Sequence, residues 1–262
     1  MTLIRPIFLI AGNTMTGVLR GVVLNVLLVL AGLLIVAATS TSALEEVEMT
    51  RMVVDSGLAI ITVLGALIAI LTGFTLIPRE LETCTIYPVM SKPVHRWQFV
   101  LGKFFGAAGV NGITVGLLSV LFFLVYFLKK HAFDFRLVLA VVMIYAMLVV
   151  LSGLIVFLST FMSWIGTIIV SSVVWFVGSY SQFLNDLSQY HSSSSVSSRM
   201  LELVQRLFPN FQAMDLRYDI VQNEVLLNQF EPMRILGPLG NAALYLVVAL
   251  LLAILIFNYR EL

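Results

Sequence analysis

The sequence predicts an all-α fold: a polytopic membrane helix bundle with six transmembrane helices and an amphipathic helix in an extracytoplasmic loop. Three observations predict it. The 262 residues are 60% hydrophobic and only 11% charged, against about 25% charged in a soluble domain. Six apolar runs each reach the roughly 20 residues that a membrane helix needs. The few charges are gathered between those runs rather than spread along them. The whole chain, 1–262, reads as one membrane domain.

The first run covers about 21–43. Arg5 and Arg20 are spread out before it, with no short apolar core leading to a small-residue cleavage site, so it reads as a retained span rather than a signal peptide. The other runs cover about 57–77, 104–128, 137–158, 164–184 and 239–258. None holds Asp, Glu, Lys or Arg well inside it, where a charge costs about 2.5–3.5 kcal/mol. Backbone groups in lipid must be satisfied within the segment, and these runs are too long for barrel strands, so helices are expected.

An even number of spans puts both ends on one side. Arg5, Arg20, Arg79, Lys92, Arg96, Lys103 and Arg260 then share a side, which the positive-inside rule makes cytoplasmic. The first opposite loop agrees, with Glu45, Glu46, Glu48 and Asp55 against Arg51. The next opposite loop, with Lys129, Lys130 and Arg136, does not. Between the fifth and sixth runs lies a long polar segment, 185–237. It opens with serines at 192–195, 197 and 198, a linker composition. Met200, Leu203, Val204, Leu207 and Phe208 then recur at helical spacing, with Arg199, Glu202, Gln205 and Arg206 on the other face. This predicts an amphipathic helix at the membrane surface, ended by Pro209.

The segment 78–103 is short, charged and marked by prolines, and it joins the second and third spans. Glu80 and Glu82 sit where a short helix would begin, near its positive end. Pro88 and Pro93 interrupt regular structure, and Ser91-Lys92-Pro93 reads as a turn. A compact charged element between two spans is suited to fit a groove on a partner, and a push on it would tilt both helices. Arg79, Lys92 and Arg96 are alternatively suited to anionic lipid headgroups.

The pattern Glu80-x-Glu82-x-x-Thr85, Ser91-Lys92-Pro93-Val94-x-Arg96 and Leu101-Gly102-Lys103 resembles the coupling segment of type-2 ABC exporter permeases. More narrowly, it is similar to six-span permeases linked with multicopper-enzyme maturation. Residues 13–20 resemble the connecting segment before the first span, and 209–217 resemble the external loop before the last. Cys84 departs from the glycine usual there, and Gly17 from an acidic residue. The resemblance implies that a separate cytoplasmic ATPase holds ATP and its magnesium. This chain then supplies half of the transmembrane path, paired with a second copy of itself or a related permease. Arg79, Glu80, Glu82, Thr85, Ser91, Lys92, Pro93, Arg96 and Lys103 become the ATPase-coupling set.

The chain has no phosphate loop of the form G-x-x-x-x-G-K-[ST], which agrees with that division. Asn25 and Asn111 lie in or near spans, where polar groups bond between helices or line a cavity. Ser171, Ser172, Trp175, Ser179 and Tyr180 make the fifth span partly polar. In the resembled family the second and fifth spans face the partner and the path, which makes these residues the substrate-path candidates. No catalytic residue and no metal site is expected: one cysteine, Cys84, and three scattered histidines form no ligand cluster. No basic tract suits nucleic acid, so the expected partners are an ATPase, a second permease and membrane lipid.

Two other classes compete with the exporter permease. A membrane scaffold or assembly factor fits the composition equally well. An intramembrane protease would need Glu45 and Glu46 at a catalytic spacing and a histidine inside a span, which the sequence lacks.

Overall fold

The computed structural model describes residues 5–39, 46–76, 95–130, 135–180, 209–217 and 232–259. Among them it is all-α. The helices are α1 (Arg5–Leu19), α2 (Val22–Thr39), α3 (Glu46–Leu76), α4 (Arg96–Lys130), α5 (Phe135–Ser159), α6 (Trp164–Ser179) and α7 (Pro232–Tyr259), with a 3-10 turn at Gln212–Met214. The amphipathic helix expected near 199–208 lies outside the described residues.

Among the described residues, four helices are long and apolar enough to cross a membrane: the stretches Arg51–Gly73, Arg96–Leu128, Phe135–Ser159 and Leu236–Tyr259. A fifth crossing is present if α1 and α2 count as one span bent by 63°. The expected six are therefore not all found as straight spans. The shortfall has two physical sources. The helix α6 is apolar but has 16 residues, or about 24 Å, short of the roughly 30 Å hydrocarbon layer. The first run forms α2, which counts as a crossing only together with α1. The helix α1, expected as a connecting segment, packs most of its length along α4. An added Cβ at Gly106 of α4 would come within 2.7 Å of Thr14 Cβ and 3.1 Å of the Ala11 carbonyl oxygen. Only a residue without a side chain permits that approach of two backbones.

Three helix starts have a local cause. At the start of α4, Gln98 Oε1 accepts from the His95 backbone N–H at 2.9 Å, the reach-back half of a capping box. At the start of α6, the Ser163 hydroxyl accepts from the Gly166 N–H at 3.4 Å, a serine N-cap. Pro232 opens α7 as a first-turn proline should. Pro238 lies inside the same helix and removes one backbone donor there.

Packing centres on α3, α4 and α5, with α2 and α6 against them. Leu58, Ile61, Phe122, Leu148, Leu151 and Ile155 are fully buried in this main cluster. The helix α3 fits its neighbours through glycine notches. A Cβ at Gly57 would sit 2.3 Å from the Phe122 ring, and one at Gly73 would sit 2.0 Å from Ile155 Cγ2. In lipid, helix association rests on such close packing rather than on escape from water. A second cluster lies at the end of the bundle where α4 begins and α7 ends, where Phe99, Val100 and Phe104 of α4 meet Val156 of α5 and Ala253 and Phe257 of α7. The helix α7 is otherwise peripheral. It packs on α5 and α4 and leaves Leu244, Val247, Leu251 and Leu255 exposed.

Candidate functional site

The segment that carried the coupling expectation is described only from His95 onward. Arg79, Glu80, Glu82, Thr85, Ser91, Lys92 and Pro93 lie outside the described residues. Arg96 and Lys103 are inside them, on the first turns of α4. The Arg96 side chain turns toward the end of α7. Its Nη1 donates to the Asn258 carbonyl at 3.0 Å and to the Phe257 carbonyl at 3.2 Å. Lys103 is buried, 3% exposed, with its ammonium 5.4 Å from the centre of the Phe99 ring. That position suits a cation–π contact. Arg96 and Lys103 thus place two cations at the start of α4, beside the apolar cluster of Phe99, Phe104 and Phe257.

Above it lies a small polar layer between α4 and α5. The Asn111 amide nitrogen donates to the Ser152 hydroxyl at 2.7 Å, and Ser152 donates in turn to the Leu148 carbonyl at 2.7 Å. The Tyr145 hydroxyl donates to the Ala108 carbonyl at 3.3 Å. The Asn111 carbonyl oxygen and the Thr114 hydroxyl are buried and have no hydrogen-bond partner among the described residues.

The other path candidates do not gather around this layer. Asn25 is exposed on α2. Ser171 is buried on α6 and bonds back to the Thr167 and Ile168 carbonyls. Ser172 bonds to the Ile168 carbonyl at 2.7 Å. Such bonds are the usual way for a serine to satisfy itself inside a helix. Trp175 Nε1 and the Ser179 hydroxyl are buried atoms without a partner among the described residues. Tyr180 is exposed at the end of α6, its ring 4.7 Å from that of Phe176.

The far end of the bundle is closed by residues 209–217. Phe211 and Met214 insert into the main cluster and are almost fully buried. The segment lies so close to α6 that a Cβ at Gly178 would meet the Phe211 ring at 2.6 Å and the Pro209 carbonyl oxygen at 2.7 Å. Asn210 Oδ1 accepts from the Ala213 N–H at 3.0 Å, holding the turn. Beside it, Asp215 and Arg217 form a paired carboxylate and guanidinium. Burial works against the Arg217 charge, but the hydrogen bond and the charge of Asp215 outweigh it, so its pKa lies above the ordinary arginine value. Between this segment and α7 opens a cleft of about 590 Å³, lined by Val150, Asn210, Met214, Pro238, Asn241 and Tyr245 among others.

The sequence reading missed the partners rather than the residues. Asn111 stands out in an apolar run, but Ser152 is one serine among many. Arg96 stands out too, but the α7 carbonyls it reaches carry no sequence signal. The Pro-Asn-Phe stretch at 209–211 was the available clue to the closure.

Among the described residues no group of three or more His, Cys, Asp or Glu could hold a metal ion. No curated protein matches the chain. A family model described as "ABC-2 family transporter protein" matches residues 14–262. That match takes in α2 to α7 whole and the end of α1 from residue 14 on, and an integral membrane chain with several apolar spans fits it. The chain belongs to the ABC-2 family of transporter membrane proteins.

Proposed function

We propose that this chain is the permease subunit of an ATP-driven exporter, moved by a separate cytoplasmic ATPase that carries ATP and magnesium. The family match over 14–262 carries this reading. In it, two permease chains, identical or related, pair around the transport path, and the chain crosses the membrane six times with both termini in the cytoplasm, in a bacterial inner membrane. The segment 78–103 is the coupling element. It joins the end of α3 to the start of α4, two helices that pack directly on each other. ATP binding does work on the path only if the ATPases bind ATP unequally in the two permease states.

Asn25, Asn111 and the polar side of α6, with Ser171, Ser172, Trp175, Ser179 and Tyr180, are the candidates for contact with the cargo. Buried polar atoms at Asn111, Trp175 and Ser179 support them, since such atoms are satisfied by water or cargo where protein partners are lacking. The narrower likeness to permeases of multicopper-enzyme maturation names a cellular setting, not a cargo.

Co-purification from the native membrane tests the reading. An ATPase should travel with the chain in mild detergent and hydrolyse ATP in the complex. Charge reversal at Glu80 and Glu82 together should release it. A complex that hydrolyses no ATP, or one that keeps its ATPase after the reversal, contradicts the coupling assignment.

A further inference from the structure

The inner end of α7 is attached to the start of α4 by an arginine that sits at the wrong end of its own helix. Arg96 is the first residue of α4, where the helix dipole is positive and a cation is disfavoured. Its guanidinium instead reaches the last turn of α7, where the dipole is negative and the final carbonyls have no intrahelical donors. It bonds two of them, Phe257 at 3.2 Å and Asn258 at 3.0 Å. One turn along α4, Phe99 stacks on Phe257 with ring centres 5.6 Å apart and planes 15° apart. Phe257 is fully buried there.

We infer that Arg96 is a positioning residue that makes α7 a third helix driven by the coupling segment, alongside α3 and α4. Arg96 lies at the downstream end of that segment, so any displacement of the segment's exit reaches α7 through a polar clamp and a stacked ring pair. The helix α7 is free to follow. Among the described residues it packs on α4 and α5 but has no comparable contact with α2 or α3, and most of its outward face is exposed. Its other end carries Pro238 and Asn241 on the wall of the cleft beside residues 209–217. A shift of α7 at the clamp therefore widens or narrows that cleft on the opposite side of the bundle. The inference rests on the exporter reading for its driving force, and on the Arg96 geometry alone for the clamp.

The test uses the full chain with Cys84→Ser, in lipid nanodiscs with its co-purified ATPase, and spin labels read as distances. One labelled pair, His95→Cys with Tyr259→Cys, spans the clamp. The other, Val120→Cys with Asn241→Cys, reports α7 at its cleft end. Arg96→Met keeps the apolar stem and removes the donor. It should broaden the inner distance and abolish the change that trapped ATP produces at the outer pair. Arg96→Lys, which keeps charge and a donor, should restore both at least in part, a rescue that misfolding would not allow. An inner distance that stays narrow in Arg96→Met overturns the clamp. An outer pair that ATP does not move with the ATPase bound, or moves equally in Arg96→Met, overturns the drive through α7. Failure of any ATPase to co-purify removes the exporter reading, while the inner pair still decides the clamp.

Discussion

Asn111 on α4 and Ser152 on α5 are joined by a 2.7 Å hydrogen bond at a point where both are at most 2% exposed. It is a polar fastening between two apolar helices. Interhelical bonds of this kind contribute about 0.6 kcal/mol on average and up to about 1.7. A double-mutant cycle with Asn111→Leu and Ser152→Ala should give a coupling energy of about 1 kcal/mol. Reversible unfolding in mixed detergent and SDS micelles measures it. Additive effects would mean the bond does not form in the folded chain.

Gly73 faces a stiff neighbour. Its added Cβ would lie 2.0 Å from Ile155 Cγ2, and a β-branched side chain has few rotamers to retreat into. Overpacking of this kind costs about 1–3 kcal/mol. Gly73→Ala should lower the unfolding midpoint accordingly, and Ile155→Ala in the same chain should recover part of the loss. Gly116, whose added Cβ would meet nothing within 4 Å, is the control, and Gly116→Ala should leave the midpoint unchanged or raise it.

The closure at the far end depends on Gly178. Gly178→Val should push Phe211 and the Pro209 carbonyl away and loosen residues 209–217. Met214 is 2% exposed, so Met214→Cys in a Cys84→Ser chain should react slowly with a maleimide and about tenfold faster when Gly178→Val is added, the population change expected from a loss of about 1.4 kcal/mol. Equal rates would show that the segment does not need the glycine.

Cys84 is the chain's single cysteine and lies in the segment assigned to ATPase docking. A membrane-impermeant maleimide should label it in inside-out vesicles and not in intact cells. Labelling from outside the cell would reverse the sidedness and remove the coupling role.

The long apolar helices were legible because lipid imposes a length and a composition, and α3, α4, α5 and α7 obey both. The helix α1 was not legible as part of the bundle. Its Asn13, Thr14 and Thr16 read as polar, yet Thr16 satisfies itself on the Gly12 carbonyl at 2.7 Å, and Thr14 is buried against α4. The direction of Arg96 was equally hidden. A charge beside a proline-rich loop reads as a contact for a partner, and only the fold brings the α7 carbonyls within its reach. Asn111 was readable as a polar group between helices, because an apolar run offers it few other uses. Its partner was not, since a serine that bonds its own helix and one that also accepts across an interface look alike in sequence.

The notches on α3 have a mechanical meaning. Gly57 receives a ring from α4 and Gly73 a branched side chain from α5, so the rod is keyed to both neighbours at separate heights. Rotating it about its axis, or sliding it by one residue, would drive a Cβ-bearing position into each key. A load applied to either tip is therefore borne by three rods as one rigid block, and relative travel is left to the lightly held pieces around it.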